Sequence, residues 1–213
     1  NLLPHNDKVR TYMRDIEPVI AMGPDALIMA DPGLIMMVRE KWPEVSIHLS
    51  VQANTVNFMA VKFWQRMGVA RIILSRELSL DEIEKIRQEC PDIELEVFVH
   101  GALCIAYSGR CLLSGYFNRR DPNQGTCTNA CRWNYAPQAG SDQNDAGEVQ
   151  PIKLEADFNF AEAQQEAEQS FSACGGGTRH PLADQVYLLE EKERPGQLMP
   201  IMEDEHGTYI MNS

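Results

Sequence analysis

No run of about 18 uncharged apolar residues occurs anywhere in the 213-residue chain, which argues against a membrane-spanning helix. The opening residues, Asn1-Leu2-Leu3-Pro4-His5-Asn6-Asp7-Lys8, lack the basic-then-apolar order of a secretory signal, so a cytoplasmic location is expected. Basic residues are scarce in the last third: residues 136–213 hold 4 Lys+Arg against 15 Asp+Glu, whereas residues 1–135 hold 15 against 16. The net charge of −12 therefore says little about what the first two thirds bind. The composition, 44% hydrophobic and 23% charged, is that of a globular protein and not of a disordered or fibrous one.

Within this chain, four short aliphatic runs recur: Ala26-Leu27-Ile28-Met29-Ala30, Ile47-His48-Leu49-Ser50-Val51, Arg71-Ile72-Ile73-Leu74-Ser75 and Glu94-Leu95-Glu96-Val97-Phe98-Val99. Between them lie helical periodicities. Val56, Met59, Ala60, Phe63, Trp64 and Met67 fall on one face before Gly68; Leu80, Ile83 and Ile86 follow a Ser79 cap and end at Cys90-Pro91. Strands and helices alternating at this interval predict parallel β/α units.

In the second run Ile47, Leu49 and Val51 share a face opposite His48, Ser50 and Gln52. In the fourth, Leu95, Val97 and Val99 oppose Glu94, Glu96, Phe98 and His100. A doubly wound sheet buries both faces and reads apolar throughout, so this alternation favours a barrel. The expected fold is α/β: a partial (β/α) TIM-type barrel of four units over 1–100, then a cysteine-rich segment over 101–135. A loop and polar helical insertion follow over 136–184, with a strand-rich continuation over 185–213, the whole C-terminal part being small and mixed α/β. Strands are read at Gln185-Val186-Tyr187-Leu188-Leu189 and Thr208-Tyr209-Ile210-Met211.

Six cysteines are present, four of them within 28 residues: Cys104, Cys111, Cys127 and Cys131. Such a group in a chain without secretory features points to metal or redox chemistry and not to structural disulfides. Only Cys127 and Cys131 have the tight spacing common in structural zinc sites, while iron-sulfur clusters accept wider intervals. Spacing leaves cluster, zinc and neither open. Cys90 reads as a packed thiol at a helix end. Cys174 lies in a Gly-rich loop.

Residues at C-terminal strand ends face the active site of a parallel barrel. Here they are Asp31, Gln52, Asn54, Arg76, Glu77 and His100. Together they suit a pocket for an anion or small acid, with Arg76 as the two-pronged carboxylate or phosphate clamp. Taken singly, Asp31 reads equally well as a turn with a helix start, and Glu77 as a cap. Over 101–135, Arg110, Arg119, Arg120 and Arg132 face only Asp121, which suits an anionic partner or a solvated loop. A hydrolase would need a nucleophile such as Ser108, Ser114 or a cysteine, with His100 near in sequence, yet no spacing identifies a triad.

Glu96-Val97-Phe98-Val99-His100-Gly101-Ala102-Leu103-Cys104, followed by Gly109-Arg110-Cys111-Leu112-Leu113-Ser114, resembles the signature of peptidase family U32. Gly125-Thr126-Cys127-Thr128-Asn129-Ala130-Cys131-Arg132-Trp133, Ser50-Val51-Gln52-Ala53-Asn54 and Leu74-Ser75-Arg76-Glu77-Leu78-Ser79 are similar to that family as well. The resemblance covers 1–135 closely and about 185–213; residues 136–184 depart from it.

The resemblance implies RNA hydroxylation, in the most similar branch conversion of a tRNA wobble uridine to 5-hydroxyuridine with prephenate. It also implies a 4Fe-4S cluster on the four cysteines, the fourth ligand lying beyond this segment in some sister branches. Asp31, Gln52, Asn54 and Arg76 would then bind substrate, and Arg110, Arg119, Arg120 and Arg132 would contact tRNA phosphates. Arg76, Glu77 and His100 would be the catalytic candidates, and a redox partner is expected. The competing readings are a collagenase-like peptidase, the activity for which the family was first named, and a non-catalytic accessory subunit with a structural metal.

Overall fold

A computed structural model describes residues 2–101, 104, 106–139, 187–204 and 207–210. It divides into two compact units, Asn1–Cys131 and Arg132–Ser213.

The first unit opens with helix α1 (Asn6–Ala21), and four parallel strands then alternate with helices: β1 (Leu27–Met29), α2 (Pro32–Lys41), β2 (Ile47–Leu49), α3 (Phe58–Arg66), β3 (Arg71–Ile73), α4 (Leu80–Glu89) and β4 (Glu94–Glu96). Strand order in space equals order in the chain, β1-β2-β3-β4, with Leu27 opposite Ile47, His48 opposite Arg71 and Ile72 opposite Leu95. These are the four β/α units that the periodicity predicts. The sheet is open among the described residues, so barrel closure is not part of the observed fold; the class is mixed α/β, with a four-stranded parallel sheet and a separate antiparallel one.

Local chemistry sets the boundaries. Asp31 caps α2 by accepting the Leu34 N–H at 2.8 Å, with Pro32 in the first turn, where its missing N–H costs nothing. Asn57 caps α3 through the Ala60 N–H. Ser79 and Glu82 form a reciprocal capping box on α4, which holds the Glu82 carboxyl below its ordinary range through the Ser79 backbone and side-chain hydrogen bonds. Ile35, Val38, Ile47, Leu49, Val61 and Ile72 are fully buried between sheet and helices. Each contributes about 1.5–3 kcal/mol by leaving water. Cys90 packs in the same core, and burial pushes its thiol pKa up, in keeping with a packed thiol.

The fourth strand departs from expectation. It ends at Glu96, and Val97, Phe98 and Val99 are exposed, Val99 at 91%. As an edge strand β4 pairs on one side only, so the alternation read through Val99 does not correspond to a buried face. Beyond it, α5 (Leu113–Asn118) lies within the cysteine-rich segment.

The second unit contains an antiparallel sheet of β5 (Tyr135–Ala139), β6 (Tyr187–Glu191), β7 (Leu198–Asp204) and β8 (Gly207–Ile210). Tyr135 pairs with Glu191, and Ala139 with Tyr187. The loop expected from Ala136 thus begins as strand, because its backbone finds a ready partner in β6. Cys174, the polar helical stretch and the rest of 140–186 lie outside the described residues. No helix of the described residues is long and apolar enough to cross a membrane.

Candidate functional site

Main-chain bonds and the Ser50 hydroxyl tie together the ends of β1, β2 and β3. Ser50 is buried; its N–H donates to the Met29 carbonyl at 2.7 Å, and its hydroxyl accepts the Gln52 N–H at 3.2 Å. The chain then makes one 3₁₀ turn, Val51–Ala53, and Asn54 ends it in the left-handed region, φ 52° and ψ 54°, which Asn tolerates better than most residues. From β3, the Ser75 N–H donates to the Thr55 carbonyl at 3.2 Å.

This places Ser75 Oγ 2.8 Å from Asn54 Oδ1 and against Glu77 Oε2. A hydroxyl carries one proton and cannot donate to both. Turning the Asn54 amide so that its NH₂ donates to Ser75, with Ser75 donating to the carboxylate, satisfies all three groups and orients Glu77.

Arg76 is half-buried. Its Nη2 donates to Ser108 Oγ at 2.9 Å, and its Cζ stands 5.9 Å from the centre of the Phe98 ring. Among the described residues its Nε is buried with no hydrogen-bond partner, as is Gln52 Oε1. A buried unpaired donor on a cation costs free energy that an anion would recover. Gly109, next to Ser108, adopts φ +74° and packs on the Gln52 carbonyl, where an added Cβ would lie 2.9 Å from the oxygen. One loop therefore touches both Arg76 and Gln52.

The remaining candidates are placed differently. Asp31 is committed to capping α2, the turn-and-helix-start alternative, and its charge, after burial, helps push the Tyr12 pKa up. His100 is exposed, four residues past the end of β4, with no hydrogen-bond partner among the described residues. The structure thus links Asn54 with Glu77 through Ser75 and sets the Ser108–Gly109 loop against both Arg76 and the Gln52 backbone, but gives no contact joining Asp31 or His100 to them among the described residues. Ser75 and Phe98 are the participants that sequence reasoning passed over. Ser75 sits in the strand-end segment, so position alone flags it; nothing in the sequence announces that Phe98 lies over Arg76.

In the cysteine-rich segment Cys104 and Cys127 are exposed, and Cys111 and Cys131 are half-buried. The Asn129 N–H donates to Cys127 Sγ at 3.4 Å, and Asn123 Nδ2 donates to the Cys111 carbonyl at 3.3 Å. Asp121 accepts from Gln124 Nε2 and the Asn123 N–H, and these bonds hold its carboxyl below the usual range. Ser114 is fully buried, 2.9 Å from Thr128 Oγ1, and accepts the Thr128 N–H.

The donor chemistry suits a thiolate-bound metal group, but the thiols do not converge. Among the described residues no group of three or more His, Cys, Asp or Glu side chains is placed to hold a metal ion. Ser108 and Ser114 are buried and hydrogen-bonded elsewhere, and no Ser–His hydrogen bond exists among the described residues. Arg110, Arg119 and Arg120 are exposed around α5, Arg119 at its left-handed C-terminal cap. Arg132 is exposed and belongs to the second unit. That unit also holds a cavity of about 290 Å³ lined by Tyr135, Glu191 and Lys192 among others.

A four-stranded parallel sheet with helices between its strands, a half-buried arginine just past one strand end and a separate antiparallel sheet define a mixed α/β protein. The model of peptidase family U32 matches residues 1–213, and the chain belongs to that family. It is 58% identical over 217 residues to tRNA hydroxylation protein P of Escherichia coli (strain K12), covering 100% of this chain and 44% of that protein. It is also 58% identical over 214 residues to tRNA hydroxylation protein P of Haemophilus influenzae, with the same coverage. The 23S rRNA 5-hydroxycytidine C2501 synthase of E. coli is 38% identical over 135 residues, 63% of this chain and 20% of the synthase. The chain thus spans less than half the length of the first two relatives. No solved structure matches it.

Proposed function

We propose that the full-length protein hydroxylates the wobble uridine of tRNA to 5-hydroxyuridine, with prephenate as anionic cosubstrate and a 4Fe-4S cluster on Cys104, Cys111, Cys127 and Cys131. The observation that carries this reading is the 58% identity, over the whole chain, to two proteins named for tRNA hydroxylation. It is supported by the buried Arg76 Nε, which has no hydrogen-bond partner among the described residues, and by four cysteines within one short segment.

Arg76 binds a carboxylate of the cosubstrate, with Gln52 and Asn54 beside it, while Asp31 shapes the turn at the neighbouring strand end. Glu77, oriented by Ser75, and the exposed His100 are the groups available to move a proton. Arg110, Arg119, Arg120 and Arg132 contact tRNA phosphates, which position the RNA without reading its sequence. The target base is presented from a single-stranded loop. A bound 4Fe-4S cluster supplies the electron-transfer chemistry that side chains lack, replenished by a redox partner. Convergence of the four thiols accompanies cluster binding, since metal sites of this kind seldom exist preformed.

Iron and acid-labile sulfide in anaerobically purified full-length protein test the cofactor: about four of each per chain are expected, lost in a Cys104→Ala, Cys111→Ala double variant. Arg76→Ala should abolish hydroxylation while leaving the cluster spectrum intact; full activity would remove the pocket assignment. Zinc or no metal would move the reading to a collagenase-like peptidase or an accessory subunit with a structural metal.

A further inference from the structure

The loop between Cys104 and Cys111 contributes to the strand-end pocket a group that the strand ends do not explain. Ser108 is buried, 6% exposed, and accepts from Arg76 Nη2 at 2.9 Å. That bond uses a lone pair and leaves the hydroxyl proton unspent, with no acceptor among the described residues. On the same guanidinium, Arg76 Nε–H is buried and without a partner among the described residues. Two unsatisfied donors therefore belong to one hydrogen-bonded pair, and the one on Ser108 is polarised because its oxygen receives a bond from a cation.

Two adjacent donors of this kind match two oxygens of one acidic group. We propose that Ser108 is a direct anion ligand, its O–H and the Arg76 Nε–H each donating to an oxygen of a single carboxylate or phosphate. Phe98 covers the guanidinium at 5.9 Å and limits competing hydration. Gly109 fixes the height of the loop: it rests against the Gln52 carbonyl in a conformation favouring glycine, so Ser108 is delivered to Arg76 by backbone packing and not by a flexible side chain.

The inference rests on the reading of Arg76 as the anion clamp, and the experiment separates the two. Binding of prephenate, malonate and inorganic phosphate to the full-length protein is measured by calorimetry for wild type, Ser108→Ala, Ser108→Thr and Ser108→Val. Thr and Val share a shape and differ in the hydroxyl, so their comparison cancels any cost of the branched side chain; circular dichroism confirms folding of each.

Affinity should fall roughly tenfold or more in Ala and Val, and stay within about threefold of wild type in Thr. Prephenate binding that is equal in Val and Thr overturns the role of Ser108 while leaving the Arg76 clamp standing. Hydroxyl-dependent binding of phosphate or malonate without prephenate upholds Ser108 and removes the cosubstrate assignment. Absence of binding by all three anions removes both.

Discussion

Gly109 lies so close to Gln52 that a methyl group on its α-carbon would sit 2.9 Å from the Gln52 carbonyl oxygen and 3.0 Å from Leu3 Cδ1. Two costs follow from replacing it, the positive φ and the clash with a backbone atom that cannot rotate away. Gly109→Ala should lose about 1–3 kcal/mol of stability. Gly23 supplies the control, since its φ is +67° with nothing within 4 Å. Gly23→Ala should cost only the backbone component, about 1 kcal/mol. Urea denaturation of the pair isolates the clash, and equal losses would show that the loop yields.

Ser114 ties α5 to the second half of the cysteine-rich segment through Thr128. Ser114→Ala leaves the Thr128 N–H without that acceptor, and a loss of about 1–3 kcal/mol is expected in thermal or urea melts. Any peptidase activity of a preparation should be unchanged in the variant. Loss of cleavage without loss of stability would instead mark Ser114 as a nucleophile.

Acidification should loosen the turn between Cys111 and Cys127. The Asp121 carboxyl is held below its ordinary value of 3.8, first by Gln124 and next by the Asn123 N–H. A depressed native pKa means that this stabilisation is fully present above the unfolded value and fades as pH falls below about 4 toward the native one. Amide shifts of Asn123 and Gln124 should follow one titration below pH 4. Asp121→Ala should abolish that titration.

Strand β2 and helix α2 both feed the core. Leu49 and Ile35 are both fully buried and belong to one cluster. Leu49→Ala or Ile35→Ala should each cost about 2–5 kcal/mol, and because the two share neighbours their losses should not add. Strict additivity in a double-variant cycle would mean that they occupy independent parts of the core.

The four parallel units were legible because aliphatic runs recur at a steady interval, and α4 because Leu80, Ile83 and Ile86 follow a Ser79 cap and stop at Cys90-Pro91. Strand β4 was read too long because Val97 and Val99 are apolar yet sit where the sheet presents its edge. Strand β7 was missed because Pro200 lies within it, opposite Leu188, and proline ordinarily argues against a paired strand. At the site, sequence named Arg76 from its place at a strand end. Its bond to Ser108 spans 32 positions, a separation at which no periodicity or motif spacing speaks. Asp31 looked equally suited to bind a ligand or cap a helix, and the Leu34 N–H took the oxygen.

Spatial order that repeats chain order has a kinetic meaning. Each of β2, β3 and β4 joins the strand that precedes it by about one β/α unit, so no strand has to be threaded between two already paired. Loop closure at each step is short, and the sheet can grow by successive addition at one side, as stacked repeats do. Synthesis from the N-terminal side presents these four units in the order in which they pair, each strand adding to the edge left by the one before it.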